Sequence, residues 1–291
     1  MARKRIMRIG GVNIKTHPHS EDNYKKLFID AFSSGRGMKI RGSTWGMIGS
    51  LQEDVDDGKV ILYGTIYKFL NIDPKEPWLN TETKEPVMDE NGQIVQPVSE
   101  NLKPHLKEIY YVFYPKGHRM FFESDILSPS MAKQLMDALL GQEKIRKKYG
   151  YVDIEIETSS EIIEKILAIP ILSKLEIRIS KPNPGDVLDE DDEAKVFKRF
   201  EKVKARKLNE QWTGEKKDGL DPDEDIKTLM RVASSNGQVN AEGYGGDDQK
   251  VTESTQDHPR IFKDKYDPDV QLGQSFFKHL ASRMYSNLTR K

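Results

Sequence analysis

The chain has 291 residues, of which 32% are charged, and its 46 basic and 47 acidic side chains leave a net charge of -1 at pH 7. That length can bury a real core in one large domain or two closely packed lobes, while the balanced charge supplies no global field to attract a polyanion. A mean hydropathy of -0.69 and the lack of an apolar run of about 18 residues exclude an ordinary membrane span, the absence of cysteine excludes disulfides and thiolate chemistry, and no apolar region follows Met1-Ala2-Arg3-Lys4-Arg5, so the expected compartment is the cytoplasm.

In chain order, Gly10 to Lys15 reads as a short strand, and Ser20-Glu21-Asp22 opens a helix through Tyr24, Leu27, Phe28, Ala31 and Phe32 that Ser33-Ser34-Gly35 ends. Met38 to Leu51 has β character with several glycines. Asp57-Gly58 is a turn into Lys59 to Phe69, apolar enough to be a central strand. The polar, proline-containing stretch from Asn71 to Leu102 is expected to be a long exposed excursion with a turn at Asp89-Glu90-Asn91-Gly92. Ile109 to Tyr114 and Arg119 to Phe122 flank Pro115-Lys116-Gly117-His118 as a hairpin. Ser128-Pro129 then starts a helix with an apolar stripe of Met131, Leu135, Met136, Leu139 and Leu140.

From Tyr151 the pattern sharpens. Val152, Ile154 and Ile156 alternate with Asp153, Glu155 and Glu157 as in a half-buried strand, and a helix capped at Ser159 or Ser160 follows, with Ile162, Ile163, Ile166 and Leu167 on one face. Leu175, Ile177 and Ile179 mark a second strand, expected to share a sheet with the first beneath the Ile162 helix. Lys181-Pro182-Asn183-Pro184-Gly185 then breaks the chain, and a long helix is expected from about Asp189 to Leu208. Gln211 to Lys227 reads as a charged linker containing Trp212, Gln238 to Gly243 and Lys250 to Thr255 as a hairpin, and Gly273 to Arg290 as a docking helix. The predicted fold is α+β in two lobes, 1–150 and 151–291, with mixed or antiparallel sheets and packed helices. The second lobe is built on a strand-helix-strand-helix-hairpin unit.

Basic clusters fall at Arg3 to Arg8, Arg36 to Arg41, Lys144 to Lys148 and Lys195 to Lys207, and acidic runs at Asp54 to Asp57, Asp186 to Glu193 and Asp221 to Asp225. At about 100° per residue, Lys195, Lys198, Arg199, Lys202 and Arg206 gather on one face of the long helix without an acid among them, opposite Val196, Phe197, Phe200 and Val203. A solvated face usually mixes signs, so this stripe points to phosphate contact without sequence reading. Lys147 and Lys148 end a helix, where cations offset its dipole, and Arg36, Lys39 and Arg41 lie near Trp45 in the mixture of cations and aromatics that single-strand binders use. These ten cations are the candidate nucleic-acid contacts.

Asp153, Glu155 and Glu157 could hold a divalent ion in a nuclease, but three alternate acids are also the wet side of a strand, which is the reading preferred here. The six histidines are scattered apart from His17-Pro18-His19, and no phosphate loop, dinucleotide fingerprint, nucleophile elbow or kinase signature is present. No catalytic residue, metal or cofactor is assigned.

The runs Asn101 to Phe113, Gly117 to Glu123, Ser234 to Gly243 and Val251 to Pro259 together resemble an uncharacterised bacterial family carried in mobile and phage-defence regions, over most of the chain. The order of pieces from Tyr151 to Thr255 is more distantly similar to the phage lambda exclusion protein RexA. That resemblance implies a DNA-binding, dimer-forming sensor of phage infection that works with an effector. The expected function is therefore nucleic-acid binding in anti-phage defence, on duplex DNA, as a homodimer with an effector encoded nearby and no membrane insertion. A metal-dependent nuclease and a pure protein-interaction subunit are the alternatives.

Overall fold

The computed structural model describes residues 4–73, 76–93, 99–183, 192–215 and 218–289. Expectations placed on Arg3, on residues 184–191 and on Arg290 lie outside them.

The chain opens with β1 (Arg5–Thr16), and the Ser20 hydroxyl caps α1 (Glu21–Ser33) by accepting from the Asn23 N–H at 3.2 Å. Then come β2 (Met38–Arg41), β3 (Thr44–Ile48), β4 (Gln52–Asp56) and β5 (Lys59–Leu70). Asp57 and Gly58, both at positive φ, form the tight turn that joins the last two. Among its described residues the excursion holds the short pair β6 (Leu79–Asn80) and β7 (Glu85–Pro86), and its expected turn is closed by the Gly92 N–H on the Asp89 carbonyl at 3.0 Å. Next are the hairpin β8 (Lys107–Tyr114) and β9 (Arg119–Glu123), α2 (Pro129–Leu140) behind its Ser128 cap, and α3 (Glu143–Tyr149). The rest of the chain forms β10 (Val152–Ile156), α4 (Glu161–Leu167), β11 (Ile171–Ser180), α5 (Asp192–Val203), β12 (Lys207–Thr213), α6 (Glu224–Asn236), β13 (Gly237–Tyr244), β14 (Lys250–Ser254), β15 (Phe262–Tyr266) and α7 (Gly273–Thr289).

The fold is α+β with antiparallel sheets. A nine-stranded sheet runs β10-β1-β9-β8-β5-β3-β2, with β15 also on β1 and β4 also on β5; a four-stranded sheet runs β12-β11-β13-β14. One face of the large sheet buries Val12, Ile14, Phe113, Phe122, Ile154 and Ile156 against α1, α2 and α3, where Phe28 and Phe113 stack at 3.9 Å. Its other face buries Met7, Ile9, Val112 and Phe121 against Phe277, Leu280 and Met284 of α7. The small sheet has its own core, in which Leu175, Ile177 and Val239 meet Ile162, Ile163 and Ile166 of α4, Val196 and Phe200 of α5 and Leu229 and Met230 of α6.

Three expectations are corrected. The Val152 strand does not share a sheet with the Leu175 strand: β10 pairs with β1 in the register Ile14 to Ile154 and Lys15 to Asp153, although α4 does pack over the core of β11. Alternation specifies a half-buried strand but not its partner. The long helix ends early. Lys204 takes φ +55, its N–H bonds the Glu201 carbonyl at 3.1 Å, and the Ala205 N–H bonds the Phe200 carbonyl at 3.0 Å, a left-handed cap made without glycine. The charged linker is in fact the end of β12, where Trp212 pairs with Leu175, followed after a short connection by α6.

Candidate nucleic-acid interface

α5 is amphipathic, and its apolar side decides where its cations go. Val196 and Phe200 are buried against α6 and β11, so Lys195, Lys198, Arg199 and Lys202 are held outward and exposed. Val203, placed by spacing on the apolar side, is 64% exposed. Arg199 is partly neutralised by Glu210 of β12 at 2.9 Å, whereas Lys195, Lys198 and Lys202 form no ion pair among the described residues. Arg206 lies beyond the helix end and so leaves the stripe. Its guanidinium sits 4.0 Å from the centre of the Tyr151 ring, and Arg146 of α3 sits 4.7 Å from the same centre. Two basic segments separate in sequence are thereby joined at one aromatic that is 56% exposed. Sequence reasoning did not single out Tyr151 or Arg146; the signals were a tyrosine just ahead of an alternating strand and the basic run Lys144 to Lys148.

Lys147 and Lys148 serve the helix end differently. Lys147 pairs with Glu143 one turn back at 2.6 Å, while Lys148 and the Tyr149 hydroxyl both reach Asp30 of α1, at 2.5 and 2.7 Å. Those two donors hold the Asp30 carboxyl below its usual range. Arg36, Lys39 and Arg41 are exposed at β2, the end strand opposite β10 in the sheet order, so the structure does not merge them with the α5 band.

The acidic triplet is not a wet strand face. Glu157 is fully buried, and the Asp153 and Glu155 side chains are only 12% and 13% exposed, because this side of β10 and β1 is where the second sheet docks. Across that seam, Lys15 on β1 donates to the Ser180 hydroxyl at 2.7 Å and to the Asn236 side-chain oxygen at 3.0 Å. Ser180 donates to Glu155 at 3.1 Å, and Asn236 donates to Glu193 of α5 at 2.7 Å. Glu157 accepts from Arg119 and from Ser235, both at 2.9 Å, and Asn13 reaches the Ser235 carbonyl at 2.9 Å. Burial lowers the Lys15 pKa to about 8 against the pull of Glu155 and Asp153, and burial raises that of Glu193. Each carboxylate of the triplet thus has its own partners: Lys207 at 3.2 Å for Asp153, Ser180 and Lys133 for Glu155, Arg119 and Ser235 for Glu157. No three His, Asp or Glu side chains among the described residues converge as metal ligands would. His17 and His19 belong to no such group among the described residues; His19 is packed edge-on to Tyr24 and His118 at 5.4 Å from each.

This chain belongs to the family described as Domain of unknown function (DUF4747), whose pattern matches residues 5–282 and so spans both sheets and the seam between them. No curated protein matches it. Among the described residues no helix is long and apolar enough to cross a membrane.

Proposed function

We propose that the protein binds nucleic acid through backbone contacts along the band formed by the outer face of α5, Arg206, Tyr151 and Arg146. The observation that carries this reading is the outward set of cations on α5. Lys195, Lys198 and Lys202 are exposed and form no ion pair among the described residues, and past the helix end Arg206, which also stands 3.9 Å from Asp153, meets Arg146 of α3 at the Tyr151 ring. Cations pinned outward by an apolar underside are what a phosphate backbone requires, and duplex DNA is the substrate their spacing along a straight helix suits. The reading includes a cytoplasmic homodimer that acts in defence against phage with an effector protein encoded nearby. That setting is supported by the resemblances drawn from the sequence.

The test is a binding titration at several salt concentrations. Changing Lys195, Lys198 and Lys202 together to Gln is expected to weaken binding to unrelated duplexes alike, and to reduce the salt slope by up to about 2.7, at roughly 0.9 per phosphate contact. Unchanged affinity and slope would remove the α5 band as the docking surface.

A further inference from the structure

We infer that the outer face of β2, β3 and β5 is a separate site that stacks the bases of single-stranded nucleic acid. It rests on the nucleic-acid reading above but uses none of the α5 band. Pairing places Lys39, Trp45 and Phe69 in one cross-strand row, and Met47 and Tyr67 in the next. Residues in register share a face, so all five project to the side opposite Ile40, Ile48 and Ile66, which point into the core under α2. Farther along β5 and β8 the same side is covered by α7, which takes up Tyr63 and Tyr110. Beyond that cover, Trp45, Met47, Tyr67 and Phe69 are half-buried yet belong to none of the three apolar cores.

One glycine sets the Tyr67 ring flat. A Cβ on Gly49 would stand 2.6 to 2.7 Å from three adjacent atoms of that ring, so the ring lies on backbone that lacks a side chain, whereas Phe69 meets Gly37 with its para carbon alone, 3.0 Å from where a Cβ would stand. A ring lying flat on a sheet turns its other face outward. Cations stand beside it: Lys39 shares the Trp45 row, Arg36 precedes β2, and both are exposed and form no ion pair among the described residues, whereas Arg41, past the bulge in β2, is in register with Thr44 on the other side; Glu108, opposite Tyr67 on β8, marks where the basic side stops. Aromatics gathered on a sheet face with cations beside them suit a strand whose bases are free to stack, whereas duplex bases are already stacked on one another and present only phosphate.

The test uses the full chain with Trp78→Phe and Trp212→Phe, which leaves Trp45 as the sole tryptophan of the three. Oligothymidine is expected to quench Trp45 emission as it binds, and duplex of equal length to leave the emission unchanged. Phe69→Leu with Tyr67→Leu, and separately Arg36→Ala with Lys39→Ala, should each weaken single-strand affinity by about fivefold or more and leave duplex affinity intact. The α5 lysine variant should do the reverse. Single strand bound to saturation with Trp45 emission unmoved overturns the stacking site, as does single-strand affinity indifferent to the cation variant. So does a Trp45 shielded from both acrylamide and oligothymidine, which would mean that the chain itself covers this face. Duplex binding that survives in any of these cases leaves the α5 reading standing, while retention of neither nucleic acid removes both.

Discussion

Strands β1 and β10 bury both of their faces, and they do so by opposite means. On one side Val12, Ile14, Ile154 and Ile156 join a core of aromatic and aliphatic groups; on the other Asn13, Lys15, Asp153, Glu155 and Glu157 meet Ser180 of the second sheet and Ser235, Asn236 and Glu193 of the helices packed on it. The apolar side is stabilised by area and tight packing, at roughly 25 cal/mol per Å² removed from water. The ionisable side gains little net from each contact, because every charge brought to the seam first loses its water. What it gains is register: Lys15, Glu155 and Glu157 are satisfied in one docking of the two sheets, and a slip by one residue would leave several of them buried without partners.

The contrast breaks most visibly when one partner is removed. Arg119→Met leaves the Glu157 carboxylate buried without its guanidinium and is expected to cost about 3–5 kcal/mol in urea unfolding. Adding Glu157→Met should return most of that loss, since two apolar side chains of similar reach then fill the space. On the apolar side Ile154→Ala should cost about 2–5 kcal/mol, as should Ile166→Ala in the second core, and no second truncation nearby should recover it. A rescue that appears on both sides, or on neither, would mean that the two faces are not held by different means.

The elements that were legible in the sequence are those whose information is local. The Ser20 and Ser128 caps, the Asp57-Gly58 turn, the β8–β9 and β13–β14 hairpins and the stripes of α2 and α7 all lie where residues a few positions apart require them. Pairing between distant strands was not legible. The alternation of Val152 to Ile156 fits a wet face or a docked one equally well, and only the approach of β1 and α6 makes Asp153, Glu155 and Glu157 a buried seam. The cation stripe on α5 was legible because periodicity is local. Its end was not, since Lys204 supplies the left-handed cap usually left to glycine and so moves Arg206 onto Tyr151. β12 was missed because an edge strand of Lys207, Asn209, Glu210 and Gln211 has the composition of a linker.

Lys15 sharpens the comparison without removing an atom from the apolar side. Its folded pKa, lowered from 10.5 to about 8, means that between those values the unfolded chain binds more protons than the folded one, so stability rises with pH across that window. Below pH 8 both states carry the charge and the cost of burying it is fully present; above 10.5 it is gone. The displacement corresponds to about 3 kcal/mol at most. Measured against Lys15→Met, which has no such proton, wild-type stability should climb from pH 7.5 to 10. Parallel pH profiles for the two proteins would show that burial in the seam does not lower the Lys15 pKa.

The smallest effects belong to the helix-end cations, where the charge stays in water. Lys147→Ala should change stability by less than about 0.5 kcal/mol, because both it and Glu143 are more than three-quarters exposed and an i, i+4 pair in solvent contributes little. Lys148→Ala should cost somewhat more, since Asp30 also receives the Tyr149 hydroxyl and the trio ties α3 to α1. The two sites separate by pH. The Asp30 carboxyl is held below its usual range, so its contribution is present above the unfolded carboxylate pKa and is lost as pH falls through the lower folded value; the difference between wild type and Lys148→Ala should therefore shrink under acid. On nucleic acid, removing Lys147 and Lys148 together should weaken duplex binding less than removing Lys195, Lys198 and Lys202. An equal or greater loss would place the phosphate backbone along α3 rather than α5, and would make Arg146 and Tyr151 the centre of the interface instead of its margin.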